Sequence, residues 1–156
     1  MVCPEVMKNC LLDVLGRKLL STDVLMHVYA GKKDTYPQQV SFLFDGYMPM
    51  RIYGGGNGES LCFSLDDIVG VDLGEYGGQV VFNASGEPCF SKVVGQRLVS
   101  VSTVNASAGR ELIGLFFSFD NEECLSILNL GDELFVYEKI PEEIVTGEGL
   151  SLILLG

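Results

Sequence analysis

Few side chains in this sequence could carry chemistry. His27 is the sole histidine, so a Ser-His-Asp or Cys-His centre would have to be built around it. It sits in the apolar run Leu25-Met26-His27-Val28-Tyr29, where a hydrogen-bonded structural histidine is the commoner occupant. The five cysteines, Cys3, Cys10, Cys62, Cys89 and Cys124, are scattered and contain no C-x-x-C pair. Neither a zinc site nor a disulfide framework follows from that spacing. They read as buried apolar residues in a reducing cytoplasm. Adjacent carboxylates occur at Asp66-Asp67, Asp132-Glu133 and Glu142-Glu143, the residue types of a glycosidase acid/base pair. Neighbours on a strand point to opposite faces, however, and each pair lies beside a turn, where solvated charge is usual. Gly54-Gly55-Gly56-Asn57-Gly58 imitates a phosphate loop, but no Lys-Ser/Thr follows it, and a strand rather than a helix is expected after it. No D-x-[DN]-x-[DN]-G calcium loop occurs. The expectation is a protein that is not an enzyme, with no catalytic residue, no metal and no cofactor.

The elements that would position any site are mostly strands. Residues 4–15 are the best helix: Pro4 suits a first turn, Glu5 complements the helix dipole, and Val6, Cys10, Leu11 and Val14 recur at helical spacing before Gly16. Beyond it, alternation in Ser60-Leu61-Cys62-Phe63-Ser64-Leu65 and along Ile113, Leu115, Phe117 and Phe119 predicts half-buried strands. Asp45-Gly46, residues 54–58, Gly77-Gly78, Ser85-Gly86 and Asn121 punctuate them as turns. The last strand, residues 150–155, is apolar on both faces and is expected to be buried or covered.

The pattern repeats within the chain. Phe42-x-Phe44-Asp45 and Ile52 return as Phe117-x-Phe119-Asp120 and Ile127. Gly16-Arg17-Lys18-Leu19 returns as Gly95-Gln96-Arg97-Leu98, Gly58-Glu59-Ser60-Leu61-x-Phe63 as Gly131-Asp132-Glu133-Leu134-x-Val136, and Asp67-Ile68-Val69 as Glu143-Ile144-Val145. With 156 residues and no linker composition, the chain is read as one domain, 1–156, with pseudo-repeats near 1–83 and 84–156. The fold class is mostly β, or α+β with one N-terminal helix. Two repeated antiparallel β-meander units are expected to pack as a sandwich or to join in one curved sheet.

Charge narrows the partners. The net charge is −11 and the isoelectric point about 4.3, opposite in sign to the footprint that direct nucleic-acid or anionic-membrane binding requires. No run reaches the length of a membrane-spanning helix, and the N-terminus lacks the basic and apolar regions of a signal peptide, so a cytoplasmic protein is expected. Residues 120–148 hold nine acids and one base, Lys139. A face sharing these acids would attract a basic protein. The expected partner-binding residues are Asp120, Glu122, Glu123, Asp132, Glu133, Tyr137, Glu138, Glu142 and Glu143. Tyr47, Tyr53 and Tyr76 are further anchor candidates near strand ends, although core burial with the hydroxyl at the surface is the commoner fate of such tyrosines.

This profile, with residues 112–119 followed by Leu125-Ser126-Ile127-Leu128-Asn129-Leu130-Gly131-Asp132-Glu133-Leu134-Phe135-Val136, resembles the immunity proteins of bacterial polymorphic-toxin and contact-dependent growth inhibition systems. The resemblance implies a cognate toxin domain, often a nuclease, whose basic active site is occluded by an acidic surface. Two other readings stay open. One is a β-barrel or sandwich holding a small apolar ligand; the other is a structural protein, a homodimer if the C-terminal strand pairs with a second copy.

Overall fold

The computed structural model describes residues 4–55, 60–106, 111–131 and 133–156. The chain opens with helix α1 (Pro4–Asp13). It buries Met7, Cys10 and Leu11, with Val14 just beyond its end, on one face at helical spacing. Gly16 follows with φ +80°, a left-handed position that ends the helix and costs a glycine little.

The first sheet contains β1 (Leu19–Tyr29), β2 (Lys32–Lys33), β3 (Gln39–Phe44), β4 (Met50–Gly54), β5 (Leu61–Ser64), β6 (Val71–Asp72) and β7 (Gly78–Asn83), with a 3-10 turn at Gly74–Tyr76. Its order is β5-β4-β3-β1-β7-β6, with β2 on β1. After the short helix α2 (Pro88–Ser91), the second sheet contains β8 (Leu98–Ala106), β9 (Glu111–Phe119), β10 (Cys124–Asn129), β11 (Leu134–Tyr137) and, beyond helix α3 (Glu142–Glu148), β12 (Ser151–Leu154). Its order is β11-β10-β9-β8-β12. Every pairing is antiparallel. Each half therefore runs helix, then a four-stranded meander, in the same spatial order, with later strands added beyond the first: β7 and β6 in the first sheet, β12 in the second.

The residues that repeat in sequence occupy matching places. Phe42 and Phe44 lie inward on β3, Phe117 and Phe119 inward on β9, and all are at most 4 % exposed. Phe42 and Phe117 touch, their rings 5.3 Å apart at 56°. Ile52 and Ile127 are fully buried, as are Val14 and Val93 at the ends of the two helical turns. One core, drawn from both sheets and α1, holds them together. The two segments after the helices also pair with each other. Gly16 and Leu19 donate to the carbonyls of Leu98 and Gln96, while Leu98 and Gly95 donate to those of Arg17 and Leu19. These four bonds surround the Lys18–Arg97 bridge and join the sheets at one corner.

A second, smaller core lies on the far side of the second sheet. Val104, Ala106, Ile113, Leu128 and Ile140 are buried there, against Ile144 and Val145 of α3. Ile113 thus departs from the expected alternation. A register shift between Val104 and Asn105 pairs them with Gly114 and Leu112, leaving Ile113 as the bulged residue that faces α3 rather than the shared core. Gly114 beside it admits no larger residue, since a Cβ would come within 2.4 Å of the Ile127 carbonyl oxygen.

Two further expectations are corrected. The C-terminal strand is not covered: among the described residues β12 pairs only with β8, and Leu152, Ile153 and Leu154 are 45, 49 and 67 % exposed. Its position at the sheet edge leaves only one neighbour to bury it. Asp67-Ile68-Val69 and Glu143-Ile144-Val145 also differ in form: the first is irregular, the second lies in α3. As for the glycine-rich segment, antiparallel β4 and β5 flank it and Gly55 N–H bonds the Ser60 carbonyl. It is a strand-to-strand connection; residues 56–59 lie outside the described ones.

Candidate partner-binding surface

The expected acidic residues do not form one cluster. β10 is six residues long, so the turns at its two ends stand roughly 20 Å apart at about 3.4 Å per residue. Asp120, Glu122 and Glu123 occupy the turn from β9 to β10, and Glu133 the opposite turn, from β10 to β11; Asp132 lies outside the described residues. β11 runs back antiparallel, Tyr137 opposite Ser126, which returns Glu138 to the first end. Hairpin geometry thus divides residues that are close in sequence.

At the first end Asp120 and Glu138 are already engaged. Glu138 pairs with Lys92 at 2.6 Å. Hydrogen bonding to Glu138, with the charges of Glu138 and Glu123 behind it, raises the Lys92 pKa above the usual lysine value. Asp120 Oδ1 accepts from the Arg97 amide at 3.2 Å, and Asn121 donates to the Lys92 carbonyl at 2.8 Å. These contacts pin the hairpin to the segment after α2. Glu122 sits at φ +69°, a turn conformation.

Tyr137 belongs to a different group. Phe135 and Tyr137 alternate onto one face of β11, their rings 6.4 Å apart and nearly parallel at 12°. Tyr36, from the segment after β2, packs on Phe135 at 4.4 Å, held there by the Leu134 amide, which donates to the Pro37 carbonyl. Burial, followed by Tyr36 and Glu143, raises the Tyr137 pKa above the usual tyrosine value, and Tyr137 packs against the same small core as Ile144, the residue after Glu143. Glu142 and Glu143 form the first turn of α3, where negative charge suits the helix dipole. Tyr36 is 41 % exposed. The result is an aromatic row on a sheet-edge strand, beside the acidic start of α3. Tyr36 and Phe135 escaped the sequence reading. Phe135-x-Tyr137 carried a period-two signal, but Tyr36 reaches the row only through the tertiary fold.

Tyr47 and Tyr53 pack against residues of their own chain. Tyr47 donates to Asp13 Oδ2 at 3.1 Å and lies under the Arg17 guanidinium. Burial, then hydrogen bonding to Cys10 and Asp13, raises its pKa far above the usual tyrosine value. Tyr53 stacks under Arg51 at 4.6 Å. Tyr76 is exposed and lends its carbonyl to His27 Nε2 at 2.9 Å, with Asp34 3.4 Å from Nδ1. His27 thereby ties the Gly74–Tyr76 turn to β1.

An apolar cleft of about 320 Å³ opens between the sheets, lined by Val24, Met26, Pro37, Phe90 and Val136, with Lys33, Asp34 and Glu87 among its charged residues. Cys89 borders it. Burial, then Glu138, raises the Cys89 pKa, with Lys92 opposing, so the thiol rather than the nucleophilic thiolate is favoured there. Among the described residues, no group of three or more His, Cys, Asp or Glu side chains is placed to hold a metal ion, and no helix is long and apolar enough to cross a membrane. Comparison of the chain with protein-family models, curated proteins and solved structures returned no match.

Proposed function

We propose that this protein binds a basic protein domain and blocks it stoichiometrically, as an immunity protein blocks its cognate toxin, with a nuclease as the expected target class. The observation that carries the reading is the row Tyr36–Phe135–Tyr137 beside Glu143, on a chain of net charge −11. Rigid aromatic rings bury area at low entropic cost and make binding hot spots. Surrounding acid accelerates encounter with a basic surface and disfavours other partners. Of the acidic residues, Asp120 and Glu138 already have partners within the chain, which leaves Glu122, Glu123, Glu133, Glu142 and Glu143 as the contact candidates in this reading.

Co-expression with the product of the neighbouring upstream reading frame tests the proposal. The expected result is a one-to-one complex whose dissociation constant rises with salt, and rescue of cells from that product. Tyr137→Ala should weaken the complex by about 2 kcal/mol or more, the scale of a hot spot. Glu143→Lys should slow association. Absence of a complex, or a complex indifferent to both substitutions, rules out this surface. The competing reading, a small apolar ligand, is favoured by the cleft at Val24, Met26 and Val136. Its test is a ligand that copurifies with the wild type and is lost in Val136→Trp.

A further inference from the structure

The outer face of the first sheet carries a row with charged residues, which the matching row of the second sheet lacks. Direct cross-strand partners share a face. The register therefore aligns Ser64, Arg51, Ser41, Asp23 and Asn83 across β5, β4, β3, β1 and β7. The matching row of the second sheet, on β11, β10, β9, β8 and β12, is Tyr137, Ser126, Phe116, Ser102 and Leu154. It contains no charge, and a phenylalanine stands where the first sheet has Ser41.

Within the polar row the charges do not cancel. Arg51 turns away from Asp23: it donates to Gln39 at 3.2 Å, pairs with Asp66 at 3.7 Å and lies over Tyr53. Among the described residues Asp23 has no side-chain hydrogen bond and no ion pair, and burial raises its pKa above the usual aspartate value. The neighbouring Ser41 is only 7 % exposed, and its hydroxyl also has no partner among the described residues. Asp23, Ser41 and Ser21 line one cleft of about 370 Å³. Asp67 contributes a second carboxylate, while Leu43, Pro49 and Ile68 supply apolar walls. Asp23 and Ser41 thus present an unpaired carboxylate and an unpaired hydroxyl to one cleft, where a ligand rich in donors can bond both.

We propose that this cleft binds an alkylammonium group. Asp23 is its counter-ion and the Ser21 and Ser41 hydroxyls accept its remaining protons. An ammonium has three donors and no acceptor, which matches one carboxylate and two hydroxyls. The walls at Leu43, Pro49 and Ile68 cover an aliphatic stem. A free polyamine and a lysine side chain present the same chemistry. The inference stands on its own observations and does not depend on the partner surface around Tyr137.

Amide chemical shifts followed during titration with 1,5-diaminopentane test it, with 1,5-pentanediol as the uncharged control at matched pH and ionic strength. Saturable shifts at Ser21, Asp23, Ser41 and Asp67, absent with the diol, are expected. Asp23→Asn should weaken binding about tenfold or more, a loss on the scale of a charge-assisted bond. Ser41→Phe, which installs the residue of the second sheet, should abolish it. Should Ser41→Phe not fold, the near-isosteric Asp23→Asn carries the test, its fold verified by the unshifted remainder of the spectrum. N-acetyl-lysine methylamide separates the sources: binding of both probes assigns the site to lysine side chains, binding of the diamine alone to free amines. The proposal is overturned by the absence of saturable shifts, by an equal response in Asp23→Asn, or by shifts centred on Glu142 and Glu143 instead.

Discussion

The two sheets share one interior but differ on their outer faces. Behind the second sheet, Leu128, Ile113 and Val104 meet Ile144 and Val145 of α3 and make a second core. Behind the first, the corresponding face bears Ser41, Asp23 and Arg51, partly covered by the irregular segment that includes Asp67 and Ile68. The same meander thus supports a second apolar core in one half and a charged face in the other. Inner positions are constrained by contact with the opposite half, as Phe42 against Phe117 illustrates. Outer positions escape that constraint and are free to carry binding chemistry.

Four measurements can break or sharpen this contrast. Phe42→Ala and Phe117→Ala should each cost about 3–5 kcal/mol in denaturant unfolding; markedly unequal losses would mean that the halves do not share their interior evenly. Leu128→Ala, behind the second sheet, should cost about 2–5 kcal/mol. Leu43→Ala, half-buried behind the first, should cost about 1 kcal/mol, and equal costs would remove the distinction between the faces. Smaller again is the effect of Asp23→Asn. Its carboxyl has a raised pKa in the folded state, so the folded protein binds that proton more tightly than the unfolded chain does. The ionised group therefore lowers stability at neutral pH, and this penalty disappears as pH falls through the folded-state pKa towards the ordinary value near 3.8. Thermal unfolding of Asp23→Asn should exceed wild type at pH 7 and converge with it in acid; a variant less stable at pH 7 contradicts the assignment. The smallest effect is expected for Lys92→Met. Its partner Glu138 is partly exposed, and such pairs contribute little, so unfolding should change only marginally.

Much of this architecture was legible from residue type alone. The helical spacing of Cys10, Leu11 and Val14, the paired Phe-x-Phe-Asp segments and the glycine stops follow from local physics that acts within a few residues. Register is different. Nothing near Asp23 announces that Ser41 and Asn83 flank it, because those contacts depend on how three strands slide against one another. The bulge at Ile113 is similar: one added residue reverses a face, and alternation counted on a single strand cannot detect it. The acids at 120–148 are a charge excess plain in the sequence, yet two hairpins carry Glu123 and Glu133 to opposite ends of β10. Tyr36 joined Phe135 from a loop about a hundred residues earlier.

The corner at Lys18 and Arg97 has a consequence for assembly. Each half supplies the donors and acceptors that complete the start of the other's first strand. A tight turn at residues 84–87, closed by the Glu87 amide on the Ala84 carbonyl, is all that separates the halves. If that turn opens, the same four corner bonds and the same Phe42–Phe117 contact can form between two chains as within one. Refolding from denaturant at high concentration should therefore yield an exchanged dimer with the circular dichroism of the monomer, and a product that is monomeric at every concentration would show that the turn holds the halves to one chain.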